Sequence, residues 1–152
     1  MHELLCALKM IQDNVKILHR NLVGDKFFGL HEVLGEYYDE LGDIADDVIE
    51  IAISLGEVEP NIIVASESYP SINTATISEG FSYDEALSYV SKYFNDLIDL
   101  FKEAKKGIPD VGKKVTIKGK EGKVISSDPL QGKYKVLIDN EVIEVDKNDS
   151  KK

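Results

Sequence analysis

The fold is decided by residues 30–56, whose sequence is LHEVLGEYYDELGDIADDVIEIAISLG. Apolar residues recur in this stretch without a miss, at Leu30, Leu34, Tyr37, Leu41, Ile44, Val48, Ile51 and Leu55. This alternating three-and-four spacing is typical of a helix that packs in a bundle. Because Gly24 precedes the stretch and Gly56 ends it, the sequence predicts one long amphipathic helix between them.

Two further segments have the same spacing and predict two more long helices. The first runs through Leu4, Leu8, Ile11, Val15, Leu18 and Leu22, and the last through Leu87, Val90, Phe94, Leu97, Phe101 and Ala104. The last segment opens with a capping box, Ser82 and Glu85, and closes at Gly107 before Pro109. The connection over residues 57–81 has the length to hold a short helix of its own.

Beyond Gly107 the apolar residues alternate with period two, which predicts about four short strands. Asp139-Asn140 suits a two-residue hairpin turn, since both residues tolerate positive φ. The spacing resembles that of a small SH3-like barrel. We therefore predict an α+β chain with a helical domain over residues 1–107, a linker over 108–112 and a β module over 113–149.

Charge is distributed unevenly in this chain of 152 residues, whose net charge is −10. Residues 111–152 hold 10 Lys and 7 Asp or Glu, a balance of +3, whereas the remainder holds 8 basic and 21 acidic residues, a balance of −13. An acidic body attracts cations and repels nucleic-acid phosphate.

With no signal-like start and no apolar run of about 18 residues, we expect a cytoplasmic protein without a membrane partner. The single cysteine, Cys6, excludes an intrachain disulfide and suits a buried position.

Candidate metal ligands lie on the second predicted helix. His31, Asp46 and Glu50 lie within about 100° of one another around the helix axis. His31 and Glu50 are, however, separated by about 28 Å along that axis. One helix therefore cannot bring these side chains to a single ion.

Two copies of the chain could complete such a site. If they pair antiparallel about a two-fold axis near residues 39–40, His31 of one chain meets Asp46 and Glu50 of the other. His19 would join from the end of the first helix, and Gly35 and Gly42 would allow close approach of the two backbones. Two imidazoles and two carboxylates suit Fe(II), and also Zn(II), which binds such ligands more tightly. The alternative is a set of structural histidines, a solvated acidic face and glycines that serve helix packing.

Residues 18–24, LHRNLVG, and 27–32, FFGLHE, resemble a segment of the Dps family, the starvation-induced DNA-protecting miniferritins. Asp46 and Glu50 match the family's Asp-x-x-x-Glu ligand pair, and the resemblance covers about residues 3–107. It extends to Leu55-Gly56, Ser68-Tyr69-Pro70 and Glu103-Ala104-Lys105. The resemblance implies a ferritin-like bundle that oxidises iron with peroxide or oxygen and mineralises it inside a dodecameric shell. His19 and His31 would come from one subunit, and Asp46 and Glu50 from its partner.

The sequence departs from that family in three ways. Gly35 stands where the family has a further ligating Asp, and Glu36 or Asp39, the possible extra ligands, do not have the same helical phase. A two-iron centre and a one-iron centre therefore both stay open. Arg20 replaces an aromatic residue beside the first histidine. The chain also turns to β structure where the family has a fourth helix, so that a standard dodecamer does not follow.

Three functions are compatible with these patterns. The first is an iron-binding protein that takes up and oxidises Fe(II) at an intersubunit site, for iron storage and oxidative protection. The second is a catalytically inactive ferritin-like scaffold whose β module binds a partner. The third is nucleic-acid binding by the β module, for which the candidate residues are Lys113, Lys114, Lys118, Lys120 and Lys123. These lysines could equally protect edge strands from aggregation.

Overall fold

The computed structural model describes residues 1–72 and 79–149, which have mixed α and β structure. Its helices are α1 (His2–Arg20), α2 (Phe27–Ser54), α3 (Ile62–Ser68) and α4 (Tyr83–Lys105). Its strands are β1 (Lys114–Ile117), β2 (Lys120–Asp128), β3 (Lys133–Ile138) and β4 (Glu141–Asp146). The α+β class and the three long helices are thus confirmed. Within the described ranges, none of the helices has the length and hydropathy to cross a bilayer.

The chain divides into two compact units, Met1–Leu100 and Phe101–Lys152, here called the helical unit and the sheet unit. The division falls seven residues before the predicted boundary at residue 107. The last residues of α4 therefore belong to the sheet unit. Ile108, predicted to start a linker, is buried in the apolar core of the sheet unit with Val124, Tyr134, Val136, Ile138 and Val145. Burial of this side chain stabilises the sheet unit, because the removal of apolar surface from water is favourable.

α1 is the central helix of the helical unit and packs against both α2 and α3. Its predicted stripe is buried, with Leu8, Ile11, Val15 and Leu18 each at most 1% exposed. A second stripe, formed by Cys6 and Met10, packs against Ala65 of α3. Cys6 is fully buried, as predicted.

A buried asparagine joins α1 to the segment that follows α3. Asn14 is 0% exposed, and its Nδ2 donates to the carbonyl of Pro70 at 3.1 Å. Its Oδ1 accepts from the N–H of Ile72 at 2.9 Å. Burial of an amide is tolerated here because both of its polar atoms have partners. The side chain thus fixes residues 70–72 against the middle of α1.

Two loops meet at the end of α1. Leu22 and Phe81 form a parallel β-bridge, in which the N–H of Val23 donates to the carbonyl of Phe81 at 2.9 Å. The N–H of Phe81 in turn donates to the carbonyl of Asn21 at 2.8 Å. Gly80 has φ +90°, and a Cβ there would lie 2.5 Å from the carbonyl oxygen of Asn21. Glycine is required at this position for both reasons.

α4 begins with the predicted capping box. The N–H of Ser82 donates to Oε2 of Glu85 at 2.9 Å, and the N–H of Glu85 donates to Oγ of Ser82 at 3.4 Å. The hydrogen bonds from Ser82 lower the pKa of Glu85. Both halves of the motif are formed, so this prediction is confirmed.

A cluster of three polar side chains ties the end of α3 to α4. The hydroxyl of Tyr69 donates to Oδ2 of Asp96, which also accepts from Nζ of Lys92 at 2.5 Å. The hydrogen bond from Lys92, followed by the one from Tyr69, lowers the pKa of Asp96. Burial, with a contribution from Asp96, raises the pKa of Tyr69. The cluster therefore favours an ionised carboxylate between a neutral phenol and an ammonium group.

The sheet unit is an antiparallel meander in the order β1-β2-β3-β4. The strand pairing described does not join β1 to β4, so these pairs form an open sheet and not a closed barrel. Asp139 and Asn140 have φ +50° and +69° in a two-residue turn, since Ile138 pairs with Glu141. The predicted hairpin is therefore confirmed. Lys118-Gly119 makes a second turn of this kind between β1 and β2.

Candidate functional site

Two histidines meet where α1 and α2 lie side by side. His19 is in the last turn of α1 and His31 is in the second turn of α2. Nε2 of His19 is 3.3 Å from Nδ1 of His31, and the ring centroids are 3.9 Å apart. The ring of Phe27, one turn before His31, lies 4.7 Å from the imidazole of His31 between centroids. Both histidines are partly exposed, so that solutes can reach them.

The surroundings of His19 favour its neutral form. Burial has the largest effect, and the neighbouring His31 and Arg20 act in the same direction, so the pKa of His19 is lowered from its ordinary value of 6.5. Asp39 opposes them, since its carboxylate raises the pKa of His19. A neutral imidazole is the form that binds a metal ion.

The distance between the two nitrogens fits either of two arrangements. Two nitrogens that bind one tetrahedral ion at about 2.0–2.1 Å lie about 3.3–3.4 Å apart. The observed 3.3 Å equally fits an N–H···N hydrogen bond between two neutral rings, of which one donates and the other accepts. The spacing of the two nitrogens is therefore compatible with binding of one ion by both rings.

Gly35 and Gly42 face α1 of the same chain. A Cβ at position 35 would lie 3.6 Å from Cε1 of His19, and a Cβ at position 42 would lie 2.8 Å from Nε2 of Gln12. These contacts support the alternative in which the two glycines serve helix packing within one chain. Their small size is used inside the α1–α2 contact, where Gly35 makes room for the His19 ring.

The predicted carboxylate ligands do not join the histidines within one chain. Asp46 and Glu50 are exposed on α2, about 22 and 28 Å along its axis from His31. Glu36 is exposed and lies about 140° around α2 from His31, which excludes it as an extra ligand in the same chain. Asp39 is exposed but near enough to act on the pKa of His19. No group of three or more metal-binding side chains forms among residues 1–72 and 79–149.

Two of the lysines considered for nucleic-acid binding form ion pairs with carboxylates on the surface of the sheet unit. Nζ of Lys114 lies 2.7 Å from Oε1 of Glu121, and Nζ of Lys120 lies 2.8 Å from Oδ2 of Asp139. These carboxylates raise the pKa of both lysines. Ion pairs of this kind between neighbouring strands and turns are typical of a sheet surface that is protected against aggregation. Lys118 lies in a turn with φ +50°.

Sequence reasoning missed three of the contacts that shape the histidine pair. The tilted contact between the rings of Phe27 and His31 and the position of Gly35 beside His19 follow from helical phase, since residues 27, 31 and 35 are four apart. The effect of Asp39 on His19 depends on the α1–α2 contact itself. No protein-family model, curated protein or solved structure matches this chain.

Proposed function

We propose that this chain is a divergent, ferritin-like miniferritin of the Dps type that binds Fe(II) between two subunits and oxidises it. His19 and His31 of one subunit would supply two imidazoles, and Asp46 and Glu50 of the other would supply carboxylates. The single observation that carries the proposal is the 3.3 Å separation of Nε2 of His19 and Nδ1 of His31. In this proposal the sheet unit is a small SH3-like module.

The geometry of α2 supports a site between two subunits. His31 is four residues into the 28-residue helix and Glu50 is four residues from its end. An antiparallel pair of α2 helices would therefore bring each end of one helix to the opposite end of the other. Each dimer would contain two equivalent sites, each built from residues of both chains. This agrees with the finding that one chain alone does not bring the histidines and carboxylates together.

The ligand set supports one iron per site. Gly35 offers no side chain, and the space beside it holds the His19 ring, with Cε1 3.6 Å from where a Cβ would stand. Two Fe(II) ions each give one electron to a molecule of hydrogen peroxide, which is reduced to two hydroxide ions. The overall balance is therefore two one-iron sites oxidised for each molecule of peroxide reduced.

Charge supports the requirement for a cation at this interface. α2 contains eight exposed Asp or Glu residues and no Lys or Arg. Two such helices side by side repel each other unless cations neutralise part of the charge. We therefore expect Zn(II), which is redox-inert, to raise the fraction of dimer in sedimentation velocity, and His31→Ala to abolish that effect. A dimer fraction independent of Zn(II) would contradict the metal's structural role.

The test of activity is an anaerobic Fe(II) titration followed by peroxide, with Fe(III) followed by near-ultraviolet absorbance. His31→Ala and Glu50→Ala each should abolish rapid oxidation, whereas Asp43→Ala, on the same acidic helix, should keep it. Iron binding without faster oxidation than in buffer would favour the inactive scaffold. No iron binding at all would refute the proposal.

Mixing the two inactive variants tests whether the site is shared. In a dimer of one His31→Ala chain and one Glu50→Ala chain, one site loses both ligands and the other keeps all of them. Since half of the dimers in an equal mixture are mixed, about one quarter of the wild-type sites should return. A mixture as inactive as its components would place both residues in the same subunit's site and refute the intersubunit arrangement.

A further inference from the structure

An apolar groove runs between α2 and α4 on the surface of the helical unit. It has a volume of about 420 Å³ and is lined by Leu30, Val33, Leu34, Tyr37, Leu87, Val90, Ser91, Phe94 and Asn95. Tyr37 and Phe94 meet edge to face across it, with their ring centroids 5.4 Å apart. Val33, Leu87 and Phe94 are 36–39% exposed, although all three are large and apolar. Apolar side chains exposed in this way are available for contact with another molecule.

The groove is bordered by negative charge on the α2 side. Glu36 lies three residues after Val33, and Glu40 lies three residues after Tyr37. Since Val33 and Tyr37 line the groove, the two glutamates flank the groove on the adjacent row of α2. Both carboxylates are exposed, and neither forms a salt bridge within the described part of the chain. The α4 side is bordered by the neutral side chains of Ser91 and Asn95.

We propose that this groove binds a basic amphipathic helix of a partner protein. The apolar floor selects a stripe of apolar residues with helical spacing, and the carboxylate border selects Lys or Arg beside that stripe. Val33 and Ile44 are exposed and Tyr37 is half-buried on the same side of α2, and together they span about 16 Å, which corresponds to about three turns of a bound helix.

A second copy of this chain fits the groove less well. Its own α2 would bring eight further carboxylates and no basic side chain to an acidic border. The groove residues also lie on a different face of α2 from Asp46 and Glu50, since Leu30 and Asp46 are about 160° apart around the helix axis. The groove and the proposed iron site can therefore be occupied independently.

The probe is a labelled synthetic peptide of three to four turns with Leu at helical a and d positions and Lys at the flanking positions. A second peptide has the same Leu positions and Glu in place of Lys. We expect the Lys peptide alone to raise fluorescence anisotropy with the full chain, and its affinity to fall with added salt. Equal binding of the two peptides, or no binding of the Lys peptide, would overturn the proposal.

Variants of the chain localise the binding. Glu36→Gln with Glu40→Gln should weaken the Lys peptide about fivefold, and Phe94→Ser or Leu87→Ser about tenfold. The control pair Glu3→Gln with Glu67→Gln, both exposed, changes the net charge equally and should leave the affinity unchanged. Urea unfolding checks that each serine variant is folded, and either of the two suffices for the test.

The outcomes separate this proposal from others. Equal weakening by the two glutamine pairs would mean general attraction to an acidic protein and would overturn a specific groove. A dimer without peptide that Phe94→Ser converts to monomer would identify a second copy as the occupant and also overturn it. Iron oxidation should be unchanged in Phe94→Ser, so the two proposals fail independently.

Discussion

The buried amide of Asn14 allows a prediction of stability to be worked from the structure. Asn14→Ala removes the side-chain acceptor of the buried Ile72 N–H and the side-chain donor to the partly buried Pro70 carbonyl. A buried polar group left without a partner costs about 1–3 kcal/mol, and the carbonyl and the small cavity add to this. We expect a loss of about 2–4 kcal/mol in the free energy of unfolding. This is a large part of the roughly 5–15 kcal/mol that stabilises a domain.

The control is Asn21→Ala, because the Asn21 side chain donates to the Ile17 carbonyl at 2.9 Å in an exposed position. Its loss should cost less than about 0.5 kcal/mol, since water can replace the bond. Urea unfolding followed by far-ultraviolet circular dichroism at the helical bands measures both variants. Equal losses for Asn14→Ala and Asn21→Ala would refute the reasoning that burial, and not hydrogen bonding as such, sets the magnitude.

Three further changes test other contacts. Gly80→Ala should destabilise the chain by about 1–2 kcal/mol more than Gly24→Ala in urea unfolding. Both glycines have positive φ, but of the two only Gly80 has a carbonyl oxygen where a Cβ would stand. Equal losses of stability would mean that positive φ, and not the contact with the carbonyl oxygen, sets the cost. Asp96 has a pKa lowered below its ordinary 3.8, so the stability it contributes is present above that pH and is lost as pH falls through the folded-state pKa. Wild type should therefore lose more stability than Asp96→Asn between neutral pH and about pH 3, and parallel pH profiles would contradict this. Gly122→Ala should destabilise the sheet unit by about 1–3 kcal/mol in thermal unfolding, because a Cβ would lie 2.4 Å from a side-chain atom of β3. An unchanged unfolding temperature would show that β3 shifts enough to accommodate the Cβ.

The elements of the fold could be predicted because each has a local signal. Apolar spacing located the three long helices, the Ser82–Glu85 pair located the start of α4, and the positive-φ tolerance of Asp139-Asn140 located a hairpin turn. The role of Asn14 had no such signal. A polar residue in a helix is usually exposed, and its partners at residues 70–72 are distant in the chain.

The candidate site could be predicted only in part for a related reason. Helical phase limits which face of α2 a residue occupies, but it does not say which neighbour that face meets. Gly35 and Gly42 could therefore be assigned either to a second chain or to packing within one chain, and they lie against α1. The meeting of His19 and His31 follows from an antiparallel α1–α2 pair. The contribution of Asp46 and Glu50, and the ferritin-like assembly, stay predictions because they require a partner chain.

The β-bridge between Leu22 and Phe81 has a consequence for the order of folding. α1 and α2 are joined by a short loop and can pair early, whereas the bridge joins two residues that are 59 positions apart in the sequence. Closure of a loop of that length costs about 3–4 kcal/mol of chain entropy, which the bridge alone does not return. We expect the amide of Phe81 to become protected late in pulse-labelled hydrogen exchange, after the amides of α1 and α2. Protection of Phe81 in the earliest phase would mean that residues 79–81 are held to the α1–α2 loop before the long helices have packed.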